Sequence, residues 1–201
     1  MIVFPHVPKT GGSSIRSALQ QRLGPRLLLD YDHSPMRVEG ARPAPLASDE
    51  AMALAGDYDM VYGHFAADRY QALNGRVAMF FRNPRDRVLS HYHYQQAKGR
   101  MESVSLADFL QRPNQMAVYS RFLGCVPISD LAFVGITEAF SDSLRLFRAV
   151  FGIDLDERRE RVGSWELPED LNDAIALSQR DNWTIYDQAR RRFDELCRAH
   201  F

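Results

Sequence analysis

Ile2-Val-Phe-Pro-His-Val-Pro-Lys-Thr-Gly-Gly-Ser-Ser-Ile15 is the stretch on which the fold turns. Ile2 to Val7 is a short apolar run that stops at Pro8-Lys9-Thr10-Gly11-Gly12. From Ser13 to Leu23 apolar residues recur at Ile15, Ala18, Leu19 and Leu23, a helical spacing closed by Gly24-Pro25. The order this predicts is strand, glycine loop, helix. Such a turn suits phosphate, because backbone N–H groups converge at the helix N-terminus, where the macrodipole is positive. Two glycines let the backbone approach an anion closely, Ser13 or Ser14 can cap the helix and donate a hydroxyl, and Lys9 adds a movable cation. The common P-loop sets Gly-Lys-Ser/Thr together, whereas here the lysine precedes both glycines. Lys9 and Lys98 are the only lysines among 25 basic residues, so an arginine-rich chain keeps a compact ammonium beside this turn. A plain helix start remains the alternative reading of the turn taken alone.

Outward from this unit, the pattern repeats. Met60-Val61-Tyr62 reads as a short strand leading into Gly63-His64-Phe65. Val77 to Phe81 is a continuous apolar run of the kind buried parallel strands show. Arg82-Asn83-Pro84 ends it, with Pro84 placed to open a helix over Arg85 to Lys98, where its missing N–H costs nothing. Ala132 to Ile136 reads as another buried strand, Ala139 to Phe151 as an amphipathic helix, and Asp170 to Ser178 and Asn182 to His200 as C-terminal helices. Residues 34–48, with Pro35, Pro43 and Pro45, read as a surface loop. The alternation predicts an α/β fold of three layers, a central parallel sheet flanked by helices and P-loop-like in outline, formed by residues 1–201 as one domain.

Composition limits the function. The chain has 201 residues, 45% hydrophobic and 25% charged, which excludes disordered, collagenous and coiled-coil classes. A net charge of −1 argues against coating nucleic acid or an anionic membrane, so any anion is held locally. Residues 1–100 hold 13 basic against 9 acidic residues, and 101–201 hold 12 against 17, which puts anion binding in the first half. Cys125 and Cys197 lie far apart with no metal-ligand spacing near either, so neither a disulfide scaffold nor a zinc site is indicated. With no signal-peptide pattern and no run of about 18 apolar residues, a cytoplasmic protein is expected.

Arg82 and Ser90 supply a second candidate anion site. An arginine fork and a serine hydroxyl across one strand-to-helix junction suit a terminal phosphate, although Arg85 and Arg87 nearby could equally form a solvated face. At this point several motifs, in order, carry a family resemblance. His6-Val-Pro-Lys-Thr-Gly-Gly-Ser-Ser14 resembles the 5′-phosphosulfate loop of sulfotransferases, especially the carbohydrate-type branch, and Arg82-Asn-Pro-Arg-Asp-Arg-Val-Leu-Ser-His-Tyr92 resembles their 3′-phosphate element. Val61-Tyr-Gly-His-Phe65, Phe133-Val-Gly-Ile-Thr-Glu138 and, more loosely, Asp181-Asn-Trp-Thr-Ile-Tyr186 extend the likeness over most of the chain. The resemblance implies an enzyme that moves a sulfuryl group from 3′-phosphoadenosine 5′-phosphosulfate (PAPS) to a hydroxyl acceptor on a sugar or glycoconjugate, without a metal. It implies that Lys9, Thr10, Gly11, Gly12, Ser13 and Ser14 cradle the phosphosulfate and that Arg82 and Ser90 hold the 3′-phosphate. Arg161, in a late loop whose spacing departs from the family's, is a further cofactor candidate.

Two side chains are expected to do the chemistry. Lys9 would offset charge on the leaving oxygen, and His64, just past a short strand where α/β active sites open, would be the general base. His6 is expected to be a strand histidine satisfied by a backbone carbonyl, and His91, His93, Tyr92 and Tyr94 to pack. His33 could line an acceptor pocket. Asn114-Gln115 resembles a family position near the acceptor, while an Asn after Pro113 is also an ordinary helix cap. Asp156 to Arg161 otherwise reads as a solvated helical face. Competing functions are a metal-dependent nucleotide phosphotransferase and a non-catalytic nucleotide-binding module.

Overall fold

In the computed structural model, residues 1–36, 43–101, 103–156 and 170–201 are described. Five strands form one sheet: β1 (Ile2–Pro5), β2 (Leu27–Asp30), β3 (Met60–Gly63), β4 (Arg76–Phe81) and β5 (Phe133–Ile136), in the order β2-β3-β1-β4-β5. Each pairing is parallel, with Phe4 beside Tyr62 and Met79 beside Val134. The helices are α1 (Gly12–Leu23), α2 (Ser48–Asp57), α3 (Pro84–Ala97), α4 (Leu106–Leu110), α5 (Pro113–Met116), α6 (Val118–Leu123), α7 (Phe140–Phe151), α8 (Asp170–Ser178) and α9 (Arg180–His200).

Strand residues alternate between two apolar layers, as the period of two requires. One layer gathers Phe4, Tyr62, Phe80 and Phe133, with Phe4 stacked on Phe80 at 6.2 Å and Phe133 set edge-on to Phe147 of α7 at 5.1 Å. The other holds Val3 and Val61 against Phe65, Tyr70 and Leu54 of α2. On that second side Phe81 meets Tyr119 of α6 at 5.2 Å. Helices therefore cover both faces, which is the three-layer arrangement that the strand–helix alternation predicts.

Local chemistry sets the boundaries. Pro84 is the first residue of α3, and the Asn83 side chain accepts from the N–H groups of Arg85 and Asp86, capping the helix where Pro has no N–H to lose. Gly63 closes β3 because a Cβ there would fall 1.7 Å from the Asp30 carbonyl oxygen; only hydrogen fits between these strand ends. Ser143 ties α7 back to β5, accepting from the Ile136 N–H at 2.8 Å and donating within the same turn.

The structure adds elements that the sequence pattern does not announce. Leu27–Asp30 is an edge strand, Ser48–Asp57 is a helix that begins where the stretch read as loop ends, and three short helices fill residues 106–123. Asp156 begins the segment read as a solvated helical face, and residues 157–161 lie outside the described residues.

Candidate active site

β1 and β4 are neighbours, but their following connections leave in opposite directions. The chain after β1 runs through α1 to the β2 edge, and the chain after β4 runs on towards β5. In such sheets a crevice opens outside the carboxyl ends of the strands where the direction reverses. The Pro8–Ser14 loop and the Arg82–Pro84 turn flank that crevice. They are joined directly, because the Arg82 guanidinium donates to the Lys9 carbonyl at 3.2 Å.

The loop has an unusual backbone. Lys9, with φ 74°, and Gly11, with φ 86°, are both left-handed. Alternation of this kind turns successive N–H groups to one side. A lysine in that region costs about 1–2 kcal/mol, a strain typical of functional loops. Gly11 is the N-cap of α1 and no side chain caps the helix, so the first N–H groups, from Gly12 onward, have no partner within it. Ser13 and Ser14 therefore do not cap, contrary to expectation: both lie inside α1, Ser13 exposed and Ser14 buried. The buried Thr10 hydroxyl donates to the Val7 carbonyl at 2.9 Å, which folds the loop on itself.

Gly12 is fixed by contact. The His6 imidazole lies between the Tyr62 ring, stacked at 5.3 Å and 13°, and the start of α1, and the Tyr62 hydroxyl donates to the Gly12 carbonyl at 2.9 Å. Both His6 ring nitrogens are sealed from solvent without a hydrogen-bond partner. The expectation that a backbone carbonyl satisfies His6 is thus wrong; aromatic stacking holds the ring. Burial, helped by His64, Arg16 and Lys9, pushes the His6 pKa well below its usual value.

Arg82 follows β4 directly, with its backbone gripped by α6. Its N–H donates to the Tyr119 hydroxyl at 3.1 Å, and that hydroxyl donates in turn to the Arg82 carbonyl. Glu138, just beyond β5, accepts from the Asn83 N–H at 2.7 Å and from the Tyr186 hydroxyl at 3.0 Å. Ser90 sits on α3 about two turns past Arg82, and both are half-buried. Arg161 lies outside the described residues.

His64 follows β3, with its N–H bonded to the Asp30 carbonyl at 2.7 Å and its ring 4.9 Å from His6 and 4.7 Å from Tyr31. Its Nε2 has no partner. Burial lowers its pKa to about 4, with Arg16 adding to the shift and Asp30 opposing it, so the ring is neutral at pH 7. His64 and Lys9 border one cleft of about 430 Å³, together with His91, Gln95, Asn114 and Gln115. The Lys9 ammonium sits 4.4 Å from the centroid of the exposed Tyr94 ring, which is a cation partner and not a packed core group.

Other candidates resolve differently. His33 does not border this cleft; its Nδ1 lies 2.7 Å from Asp30, whose other oxygen accepts from Tyr70 at 2.8 Å. Asn114 is not a cap, because Arg112 holds the N-cap position of α5. Arg87, read with Arg85 as a possible solvated face, is instead wholly buried on α3, and the Tyr119 and Glu138 clamps went unread, since a buried arginine among arginines carries no local signal. Among the described residues no group of three or more His, Cys, Asp or Glu is arranged to hold a metal, and no helix is long and apolar enough to cross a membrane.

A five-stranded parallel sheet with helices on both faces, and anion-suited loops at its direction reversal, defines a P-loop-like, sulfotransferase-type fold. The chain is similar in structure to a sulfotransferase from Alicyclobacillus acidocaldarius, with a TM-score of 0.55 and 16% sequence identity over 98% of this chain and 95% of that one. No family model and no curated protein matches the sequence.

Proposed function

We propose that residues 1–201 form a single-domain sulfotransferase that moves a sulfuryl group from PAPS to a hydroxyl on a sugar or glycoconjugate. One observation carries the reading: the strained Lys9 loop is bonded by Arg82 to the second anion junction, and it opens on the same cleft as a neutral histidine. The residues fit the co-substrate. Gly12 brings α1 against His6 with no Cβ between, leaving uncapped N–H groups at the helix start for an anionic group.

In this reading Lys9, Thr10, Gly11, Gly12, Ser13 and Ser14 hold the 5′-phosphosulfate, and Arg82 and Ser90 hold the 3′-phosphate, with Arg161 as a further contact. PAPS supplies an activated sulfuryl group when bound. Catalysis then falls to positioning and electrostatics, as in phosphoryl transfer. Lys9 offsets negative charge on the leaving oxygen, and the α1 N-terminus adds its partial positive charge. His64, neutral at pH 7, takes the hydroxyl proton of the acceptor. Its low pKa makes it a weak base in the free protein, and an anion on the loop opposes the Arg16 charge and raises it. The carbohydrate class of the acceptor rests on the resemblance of the loop motifs.

The test is transfer of ³⁵S from labelled PAPS to a panel of sugars and glycosides without added metal. Transfer that Lys9→Ala and His64→Ala each reduce at least a hundredfold is expected. Turnover of ATP that needs Mg²⁺, with no release of 3′-phosphoadenosine 5′-phosphate from PAPS, would assign a phosphotransferase instead.

A further inference from the structure

A chain of side-chain amides crosses the floor of the cleft, and its direction is fixed at both ends. The Met36 carbonyl can only accept, so Asn114 turns its amide nitrogen there, at 2.9 Å. The Asn114 oxygen consequently faces Gln115, whose amide nitrogen donates to it at 3.3 Å. Gln115 thus points its own oxygen the other way, where the Arg87 guanidinium, which can only donate, meets it at 3.4 Å. Both anchors demand the same orientation.

That orientation dictates the state of His91. Its Nδ1 lies 3.0 Å from the Gln115 oxygen and so carries the hydrogen. Its Nε2 bears the lone pair, met at 3.0 Å by the Gln95 amide nitrogen. Arg87 is wholly buried, Gln115 is 1% exposed and His91 8%, so the clamp is shielded from competing water. Burial and the Arg87 charge lower the His91 pKa to about 4, and the lone pair is present at neutral pH. His91 and Gln95 border the same cleft as His64 and Lys9.

We propose that His91 is an acceptor-binding residue: its Nε2 takes the hydrogen bond of a second hydroxyl, beside the one that faces His64, with Gln95 giving way, so that the cleft selects polyhydroxyl acceptors. Arg87 and Gln115 are positioning residues that act through the His91 tautomer. The proposal rests on the sulfotransferase reading for the reaction, while the tautomer follows from the hydrogen-bond geometry alone.

Imidazole ¹⁵N spectroscopy tests it in the whole protein. The free protein should show His91 as the Nδ1–H tautomer. Gln115→Met should abolish that preference, and Gln95→Leu, at a half-exposed site, should keep it while moving the Nε2 signal. The opposite tautomer in the wild type, or an unchanged one in folded Gln115→Met, overturns the proposal. The protein loaded with 3′-phosphoadenosine 5′-phosphate is then titrated with glycerol, myo-inositol and methyl α-D-glucopyranoside, with 1-propanol as the single-hydroxyl control. The polyols should move the His91 Nε2 signal and 1-propanol should not, and Gln115→Met should weaken the polyol response at least tenfold. Nucleotide binding with no polyol response at His91 overturns this proposal and leaves the sulfotransferase reading standing. A polyol response without nucleotide binding does the reverse.

Discussion

Replacing Gly12 by alanine should destabilise the protein, and deleting the His6 ring should cancel the effect. An alanine Cβ at position 12 falls 1.6 Å from His6 Nε2, where ordinary contact begins at 3.4 Å. The imidazole must therefore retreat by about 1.8 Å, yet it is stacked on Tyr62, whose hydroxyl holds the Gly12 carbonyl. Overpacking of this order costs about 1–3 kcal/mol. Without the ring the sign reverses, because alanine in a helix is favoured over glycine by roughly 0.5–1 kcal/mol. The double-mutant cycle over Gly12→Ala and His6→Ala should thus give a coupling energy of about 2–3 kcal/mol, near the top of the range for residues in contact. Urea unfolding of the four proteins measures it, and calorimetric titration with 3′-phosphoadenosine 5′-phosphate shows whether the loop keeps its shape. Equal effects of Gly12→Ala in both backgrounds would refute the packing of His6 against α1.

Three further outcomes are expected. Lys9→Gly and Lys9→Ala should each lower turnover by about 100- to 1,000-fold, but only glycine relieves the left-handed backbone at φ 74°, so it should be the more stable of the two by about 1 kcal/mol in chemical denaturation; a more stable alanine variant would contradict the strain. Arg82→Ala removes the tie to the Lys9 carbonyl and, with it, the proposed phosphate fork, and should weaken nucleotide binding by about 10- to 100-fold, as loss of a charged hydrogen bond does; unchanged affinity by calorimetry would place the 3′-phosphate elsewhere. His6, His64 and His91 are all held below 6.5, His64 and His91 at about 4, so between those pH values the unfolded chain binds protons that the folded one refuses. Stability should accordingly fall as pH drops through that window, by about 1.4 kcal/mol per pH unit for each histidine. Unfolding midpoints between pH 7 and 4.5 test this, and a His6→Ala variant that keeps the full slope would contradict the contribution of His6.

What the sequence made legible were the pieces with strong local signals. The glycine turn, Pro84 at the start of α3 and the continuous apolar run of β4 each have one physical cause, and the structure puts them within a residue or two of their expected positions. Leu27–Asp30 escaped because its Leu-Leu-Leu-Asp run lacks the β-branched and aromatic residues that mark β1, β3, β4 and β5, and the helix at Ser48–Asp57 because Pro43 and Pro45 dominate the reading of its approach. In the site, Lys9, His64 and Arg82 could be picked out because each stands next to a strand end. Arg87 and Tyr119 could not, since their roles depend on partners 28 or more positions away, and Gln115 was legible only through the family resemblance. The same limit explains the error over His6: a strand pattern gives a side chain's direction but not whether a polar partner or a tyrosine ring meets it.

The central claim, that the loop and turn at the β1–β4 crevice form a bisphosphate site, is tested most directly by thermal unfolding with 3′-phosphoadenosine 5′-phosphate, with ATP and Mg²⁺ as the control. At a hundredfold excess over its dissociation constant the bisphosphate should stabilise the protein by about 2.7 kcal/mol. That gain should be much reduced in Arg82→Ala. No stabilisation by the bisphosphate, or stabilisation by ATP and Mg²⁺ alone, would contradict the account.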